Sequence, residues 1–289
     1  MSALSTDRTT VPKRKTPRRE SAGPLRYALL CLVLVVSLAP IIWPVMTSFK
    51  AVTEQVFGPS ATLIPRAFSL DSYRTLFAQV PIWQYVRNSL FYCALAVISQ
   101  VVLASTCGYM LSRKHWRGRW LTNLLITITL IFPFEAIMLS LYTQVRAMGL
   151  LDSVIGVWLP GMISAFNILV MRASFVSVPT ALEESALMDG AGEFRRFWSI
   201  YLPSAKGALT IVALTAAVGA WDDFLWPLIV LRSDTNFTLP VGLATLQSSF
   251  GFDVKVVLAG AVVALVPVVA LFFALQRFFF RGVESGGVK

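Results

Sequence analysis

Three carboxylates lie where carboxylates are costly. Glu135 sits in the apolar run FPFEAIMLSLY, and Asp222 and Asp223 stand side by side in WDDFLWPLIVL. A charged side chain at the centre of a bilayer costs about 2.5–3.5 kcal/mol on an insertion scale. Such groups therefore face a protein interior or water. There they contact a polar solute, carry protons, or join a hydrogen-bonded cluster that fixes helix packing. Trp221 and Trp226 flank the acidic pair, and an indole in that place stacks on a sugar, packs between helices or joins the interfacial aromatic belt. A second polar group, ESALMDGAGEFRRFWSIYLP at 184–203, gathers Glu184, Asp189, Glu193, Arg195 and Arg196. The chain around it is 56% hydrophobic and 14% charged over 289 residues.

Other chemistry is sparse. The one histidine, His115, falls in the basic run RKHWRGR, and a single histidine does not build a typical metal site. Cys31, Cys93 and Cys107 lie in apolar runs without metal-ligand or disulfide spacing, so they read as small buried apolar residues. No nucleophile has a neighbouring base, and no G-x-x-x-x-G-K-[ST] phosphate loop occurs, so the chain reads as a non-enzyme with no catalytic residue, metal ligand or bound cofactor.

The elements that must position these groups are membrane helices. A soluble domain is about a quarter charged, so this balance reads as an all-α polytopic membrane protein. About 20 apolar residues span a bilayer. Six runs qualify: 26–48, 87–111, 120–144, 153–176, 207–231 and 256–280. Pro133 and Pro227 fall inside two of them and are tolerated where neighbours satisfy the freed backbone groups. Residues 1–25 read as a disordered, basic cytoplasmic tail; setting topology explains its charge without a nucleic-acid partner. The apolar run that follows is too long for a signal-peptide core. Of the 25 Lys and Arg, only Lys50, Arg66, Arg74, Arg87, Arg146, Arg232 and Lys255 fall outside when the N-terminus is placed inside. That bias predicts both termini and residues 177–206 in the cytoplasm. The longest outer segment, 50–86, reads as a connector in which SLDSYRTLF forms a short helix capped by Ser69 or Asp71.

The polar stretch has its own local grammar. Pro179 marks a boundary, and Thr180 followed by Glu183 spells a capping box. Asp189-Gly190 supplies a helix end and turn. A second helix over 192–201 carries Phe194, Phe197, Trp198 and Tyr201, and Leu202-Pro203 ends it. The predicted product is a helix–turn–helix with aromatics on one side and charges on the other. Physical chemistry leaves two roles open for it: packing on lipid headgroups, or docking a cytoplasmic partner.

The stretch 184–203 resembles the EAA loop of permease subunits of ATP-binding-cassette importers. FPFEAIMLSLY, WDDFLWPLIVL, TLPVGLATLQ and the ending QRFFFRGVESGGVK resemble the second permease of the maltose- and glycerol-phosphate-type systems. The resemblance implies the type I importer permease fold, with six membrane helices over 26–281 and cytoplasmic tails at 1–25 and 282–289, the latter reaching between ATPase subunits. It implies a coupling helix whose residues here are Glu184, Ser185, Ala186, Asp189, Gly190, Phe197, Ile200, Leu202 and Pro203. It also implies a translocation path near Glu135, Trp221, Asp222 and Asp223. The implied setting is a bacterial cytoplasmic membrane. The implied partners are a second permease, an ATPase dimer that holds ATP and Mg, and an extracytoplasmic solute-binding protein, with membrane lipid around them. Two departures stand out: Ser185 where the family usually has Ala, and Asp222 where that branch usually has Asn. The competing expectation is a secondary transporter driven by an ion gradient, with the membrane acids as proton sites; such a carrier needs no EAA-like loop.

Overall fold

Proline positions decide where the apolar runs become helices. The computed structural model describes residues 24–112, 116–248 and 253–286. The basic tail up to residue 23, His115 and residues 287–289 lie outside the described residues. In chain order the helices are α1 (Pro24–Ser48), α2 (Asp71–Gln79), α3 (Ile82–Ser112), α4 (Arg119–Thr129), α5 (Phe134–Ala147), α6 (Val154–Gly161) and α7 (Ala165–Val176). They continue with α8 (Thr180–Met188), α9 (Glu193–Arg196), a π-helical turn (Phe197–Tyr201), α10 (Leu202–Ser204), α11 (Lys206–Asp222), α12 (Leu225–Val230), α13 (Leu239–Ser248) and α14 (Val254–Gly286). Among the described residues there is no strand, only an isolated antiparallel bridge between Lys50 and Phe68. Residues up to Trp43 form one unit, which holds most of α1, and residues from Pro44 onward form the other.

Three helices are long and apolar enough to cross a bilayer, α1, α3 and α14, and up to six spans result if each bent pair counts as one. The six expected runs thus stand as up to six spans, three of them bent pairs of helices. The third run bends by 99° between α4 and α5, and the fourth by 47° between α6 and α7. The fifth ends as a helix at Asp222 and resumes at Leu225. Proline has no N–H and its ring clashes with the carbonyl four residues earlier. Pro133 acts in this way on Thr129, the last residue of α4, and Pro227 acts on Asp223, the first residue beyond α11. At the other end of the chain α14 runs on to Gly286, past the expected boundary at 280.

The second unit packs around α3, which contributes to each of its three apolar clusters. Ala104, Tyr109 and Leu111 meet Ile168, Met171, Phe175 and Val212 of α7 and α11. Ile82 and Tyr85 meet Leu76, Trp221, Leu239 and Val256. Tyr92 and Ala96 meet Met138, Val157, Trp226 and Val230. In lipid, helices gain little from burying apolar surface, so close fit and hydrogen bonds hold them together. Both are visible. A Cβ on Gly108 would lie 2.8 Å from Met171 Cβ and 2.9 Å from Arg172 N, so α3 and α7 touch closely there. Gln100 donates to the carbonyl of Gly161 (2.9 Å), which the end of α6 leaves without a helical partner. Asn167 donates to Gln100 (2.6 Å), and Thr215 donates to Asn167 (2.9 Å), so one polar chain ties α3, α7 and α11.

The segment 50–86 forms its short helix as expected. Ser69 Oγ accepts from Asp71 N (3.0 Å), although the residue at the cap position is Leu70. Buried Lys255, at the start of α14, holds this segment by donating to the carbonyls of Ala51, Val52 and Glu54 at 2.7–3.2 Å.

Candidate functional site

The break after α11 separates two adjacent carboxylates. Asp223 is extended (ψ 119°), and in extended backbone successive side chains point to opposite sides. Asp222 is exposed and lines an open cleft of about 660 Å³ with Trp221, Phe224, Pro240, Leu243 and residues of α14. Among the described residues of that lining it is the only ionisable group. Asp223 is half-buried and accepts a hydrogen bond from Tyr92 Oη at 2.9 Å. Trp221 is a wall of the cleft whose indole N–H is committed to the carbonyl of Ala264 (3.1 Å).

Trp226 is 2% exposed, donates to the carbonyl of Val157 (3.1 Å) and meets the ring of Phe134 edge-on at 5.8 Å. A tryptophan so enclosed packs helices, which is one of the roles the sequence left open for it. Glu135 is exposed in the first turn of α5, where the helix dipole favours a carboxylate, and it does not line the cleft. The five residues singled out around the acids therefore divide. Asp222 and Trp221 line the cleft, Asp223 and Trp226 are held by hydrogen bonds between helices, and Glu135 does not line the cleft. Tyr92, which fixes Asp223, carries no sequence signal beyond its place in an apolar run.

The second candidate site is the hairpin between α7 and α11. Gly190 takes φ +71°, Gly190 N donates to Leu187 O (3.0 Å), and Ala191 N donates to Ala186 O (2.9 Å). This is the left-handed glycine cap that Asp189-Gly190 predicted. The capping box does not form: no side chain caps the start of α8. Glu183 instead accepts from Arg196 Nη1 (2.9 Å) and from Tyr201 Oη (2.8 Å). The second arm also departs from expectation. It turns π-helical over Phe197–Tyr201, with Leu202 N reaching back to Phe197 O, and runs on through Pro203 to Ser204. Pro203 cannot donate to Ser199, the bond a regular helix would need.

The expected division into an aromatic and a charged side is not found. Phe197 and Tyr201 are buried and so is Arg196, at 4% exposure, whereas Phe194 (77%) and Trp198 face outward. Glu184, Ser185, Asp189, Gly190 and Pro203 are exposed, Ala186 is buried, and Ile200 and Leu202 are half-buried. The outward surface thus combines Glu184 with Leu182, Leu187, Met188 (88% exposed) and Phe194. No ion pair of Glu184 occurs among the described residues.

Comparison with known proteins places this architecture. A family model described as a binding-protein-dependent transport system inner membrane component matches residues 100–285. The arabinooligosaccharides transport system permease protein AraQ of Bacillus subtilis is 34% identical, over 91% of this chain and 96% of its own. The lactose transport system permease protein LacG of Rhizobium radiobacter is 30% identical, over 95% of this chain and 99% of its own. Among solved structures, a bacterial ATP-binding-cassette transporter involved in import of the acidic polysaccharide alginate contains a chain 26% identical to this one. That match has a TM-score of 0.81 and covers 88% of this chain and 95% of that one.

Proposed function

The chain belongs to the family of binding-protein-dependent transport system inner membrane components, and we propose that it is one of two permease subunits lining the path of a carbohydrate across a bacterial cytoplasmic membrane. The relatives named for arabino-oligosaccharides and lactose support the solute class. Family membership leaves no place for the ion-gradient-driven carrier. ATP and Mg belong to a separate ATPase dimer, and an extracytoplasmic binding protein delivers the solute. The Lys and Arg bias supports cytoplasmic termini and a cytoplasmic hairpin.

The observation that carries this reading is the hairpin itself. It presents Glu184 and a ring of apolar side chains outward, is bent at a left-handed glycine, and is inserted between α7 and α11. A carboxylate among exposed apolar groups suits a cleft on a partner that carries a basic residue. When the ATPases close, the hairpin moves, and α11 transmits the displacement. Its 17 residues span about 25 Å at ~1.5 Å per residue, and its far end carries Trp221 and Asp222. Asp222 accepts hydrogen bonds from sugar hydroxyls, and its charge in an otherwise uncharged cleft favours neutral over anionic sugars.

The test is uptake into proteoliposomes holding the complete complex, with ATP enclosed and binding protein outside. Labelled arabinotriose and lactose serve as probes, together with any sugar retained by the binding protein. Accumulation that needs both ATP and binding protein is expected. Accumulation driven by a proton or sodium gradient without ATP would overturn the reading.

A further inference from the structure

We infer that Arg196 is a positioning residue for coupling: held in place by Glu193 on its own helix, it clasps the two arms of the hairpin together through Glu183, so that the neighbouring Glu184 is left to face the ATPase. This rests on the permease reading above and assigns the hairpin an internal mechanism.

The geometry is closed on several sides. Arg196 Nη1 donates to Glu183 Oε1 at 2.9 Å and Nη2 to Glu193 Oε1 at 3.2 Å. Glu183 Oε2 accepts from Tyr201 Oη at 2.8 Å, and Glu193 Oε2 lies 3.4 Å from Tyr109 Oη at the far end of α3. The Tyr109 ring in turn meets Phe197 at 5.1 Å, Tyr201 at 4.9 Å and Phe175 of α7 at 6.1 Å. A buried guanidinium is tolerated only with such partners, and its planar fork suits two carboxylates at once in a way an ammonium does not.

The mechanical consequence follows from what else joins the arms. Between α8 and α9 lie only Asp189, Gly190, Ala191 and Gly192, and a turn with two glycines is a weak lever arm. Without the clasp, a force on Glu184 would swing α8 about that turn against little more than the Tyr201–Glu183 hydrogen bond. With it, α8 and α9 move as one block that bears on α3 through Tyr109 and on α7 through Phe175. Two successive glutamates thus do different work: Glu183 faces inward and holds the lever rigid, and Glu184 faces outward and receives the force.

The test uses the complete reconstituted complex. Arg196→Met, Glu183→Gln and the exchanged pair Glu183→Arg with Arg196→Glu, made together with Glu193→Gln so that the carboxylate introduced at 196 meets no second one, are compared with wild type. The readouts are ATPase subunit retained on purification and the ratio of ATP turnover with loaded binding protein to turnover without it. The single variants should keep the ATPase subunit yet lose the stimulation ratio by about tenfold, the scale of a typical coupling between sites. The exchanged pair should recover at least half of it, which a merely structural lesion would not. If Arg196→Met fails to accumulate in membranes, Glu183→Gln, which preserves shape, decides alone. A wild-type ratio in the single variants, or loss of the ATPase subunit to the extent caused by Glu184→Lys, would overturn the clasp. A wild-type complex showing no stimulation at all would instead defeat the permease reading.

Discussion

Asp222 and Asp223 are neighbours in sequence with different surroundings, and substitutions should separate them. Asp222 faces the cleft without a partner in its lining, whereas Asp223 holds Tyr92. Asp222→Asn should alter the rate of solute uptake and leave the melting temperature of the complex near that of wild type. Tyr92→Phe should do the reverse, lowering stability by about 1.5–3 kcal/mol, the range for a hydrogen bond to a charged group. Uptake assays and thermal unfolding on the same preparations check both, and equal effects of the two variants on either readout would contradict the division. At this scale the sequence showed which residues were costly but not where each one pointed. The direction of Asp222 depends on a backbone break that Pro227 imposes four residues beyond Asp223. Glu183 makes the same point: Thr180-x-x-Glu183 spells a capping box, but Arg196, thirteen residues on, offers the carboxylate a buried charged partner and prevails.

The helices themselves were legible because hydropathy sums over a window; their breaks were not, because a proline acts on one carbonyl. Where elements touch, close approach takes over from hydropathy. Gly108→Leu should force α3 from α7, since even a Cβ there meets Met171 Cβ at 2.8 Å. A loss of about 1–3 kcal/mol is expected for such overpacking, with Gly108→Ala milder, and an unchanged melting temperature for the leucine variant would deny the crossing. On the other face, the loop after α5 is clamped to the loop after α12 by Asp152, a non-glycine residue at φ +56°. Its carboxylate accepts from Arg232 N and Ser233 N, both at 2.9 Å, and from the Ser233 hydroxyl. Burial pushes its pKa up, but the Ser233 hydroxyl and these backbone N–H groups outweigh it and hold the pKa at about 2. A depressed carboxylate pKa stabilises the fold above its unfolded value of about 4, and that contribution is lost as pH falls from about 4 towards about 2. The stability gap between wild type and Asp152→Asn should therefore be full at pH 6 and narrow steadily below pH 4 in thermal melts. A gap independent of pH would remove the clamp.

On the scale of the whole molecule, the proposed function makes the fold a lever with its handle at the hairpin and its load at the cleft. The handle must lie on the side of the ATPases. With the native cysteines replaced, Glu184→Cys and Ser60→Cys should be labelled by an impermeant thiol reagent from opposite faces of the membrane; labelling from the same face would defeat the topology. The turn within 184–203 was readable from sequence, because Asp189-Gly190 has a fixed backbone requirement. The clasp and the polar chain through Gln100, Asn167 and Thr215 were hidden, because they join residues far apart in sequence. The most direct test of the lever is ATP turnover by the reconstituted complex, with and without loaded binding protein, in wild type, Glu184→Lys and Gly190→Val. A Cβ at Gly190 meets nothing within 4 Å, so Gly190→Val acts through its left-handed backbone alone, at about 1–2 kcal/mol or more for a branched side chain. Glu184→Lys should lose the ATPase subunit on purification. Gly190→Val should keep it and hydrolyse ATP without responding to the binding protein. Wild-type docking and wild-type stimulation in both variants would contradict the claim that this hairpin carries the stroke.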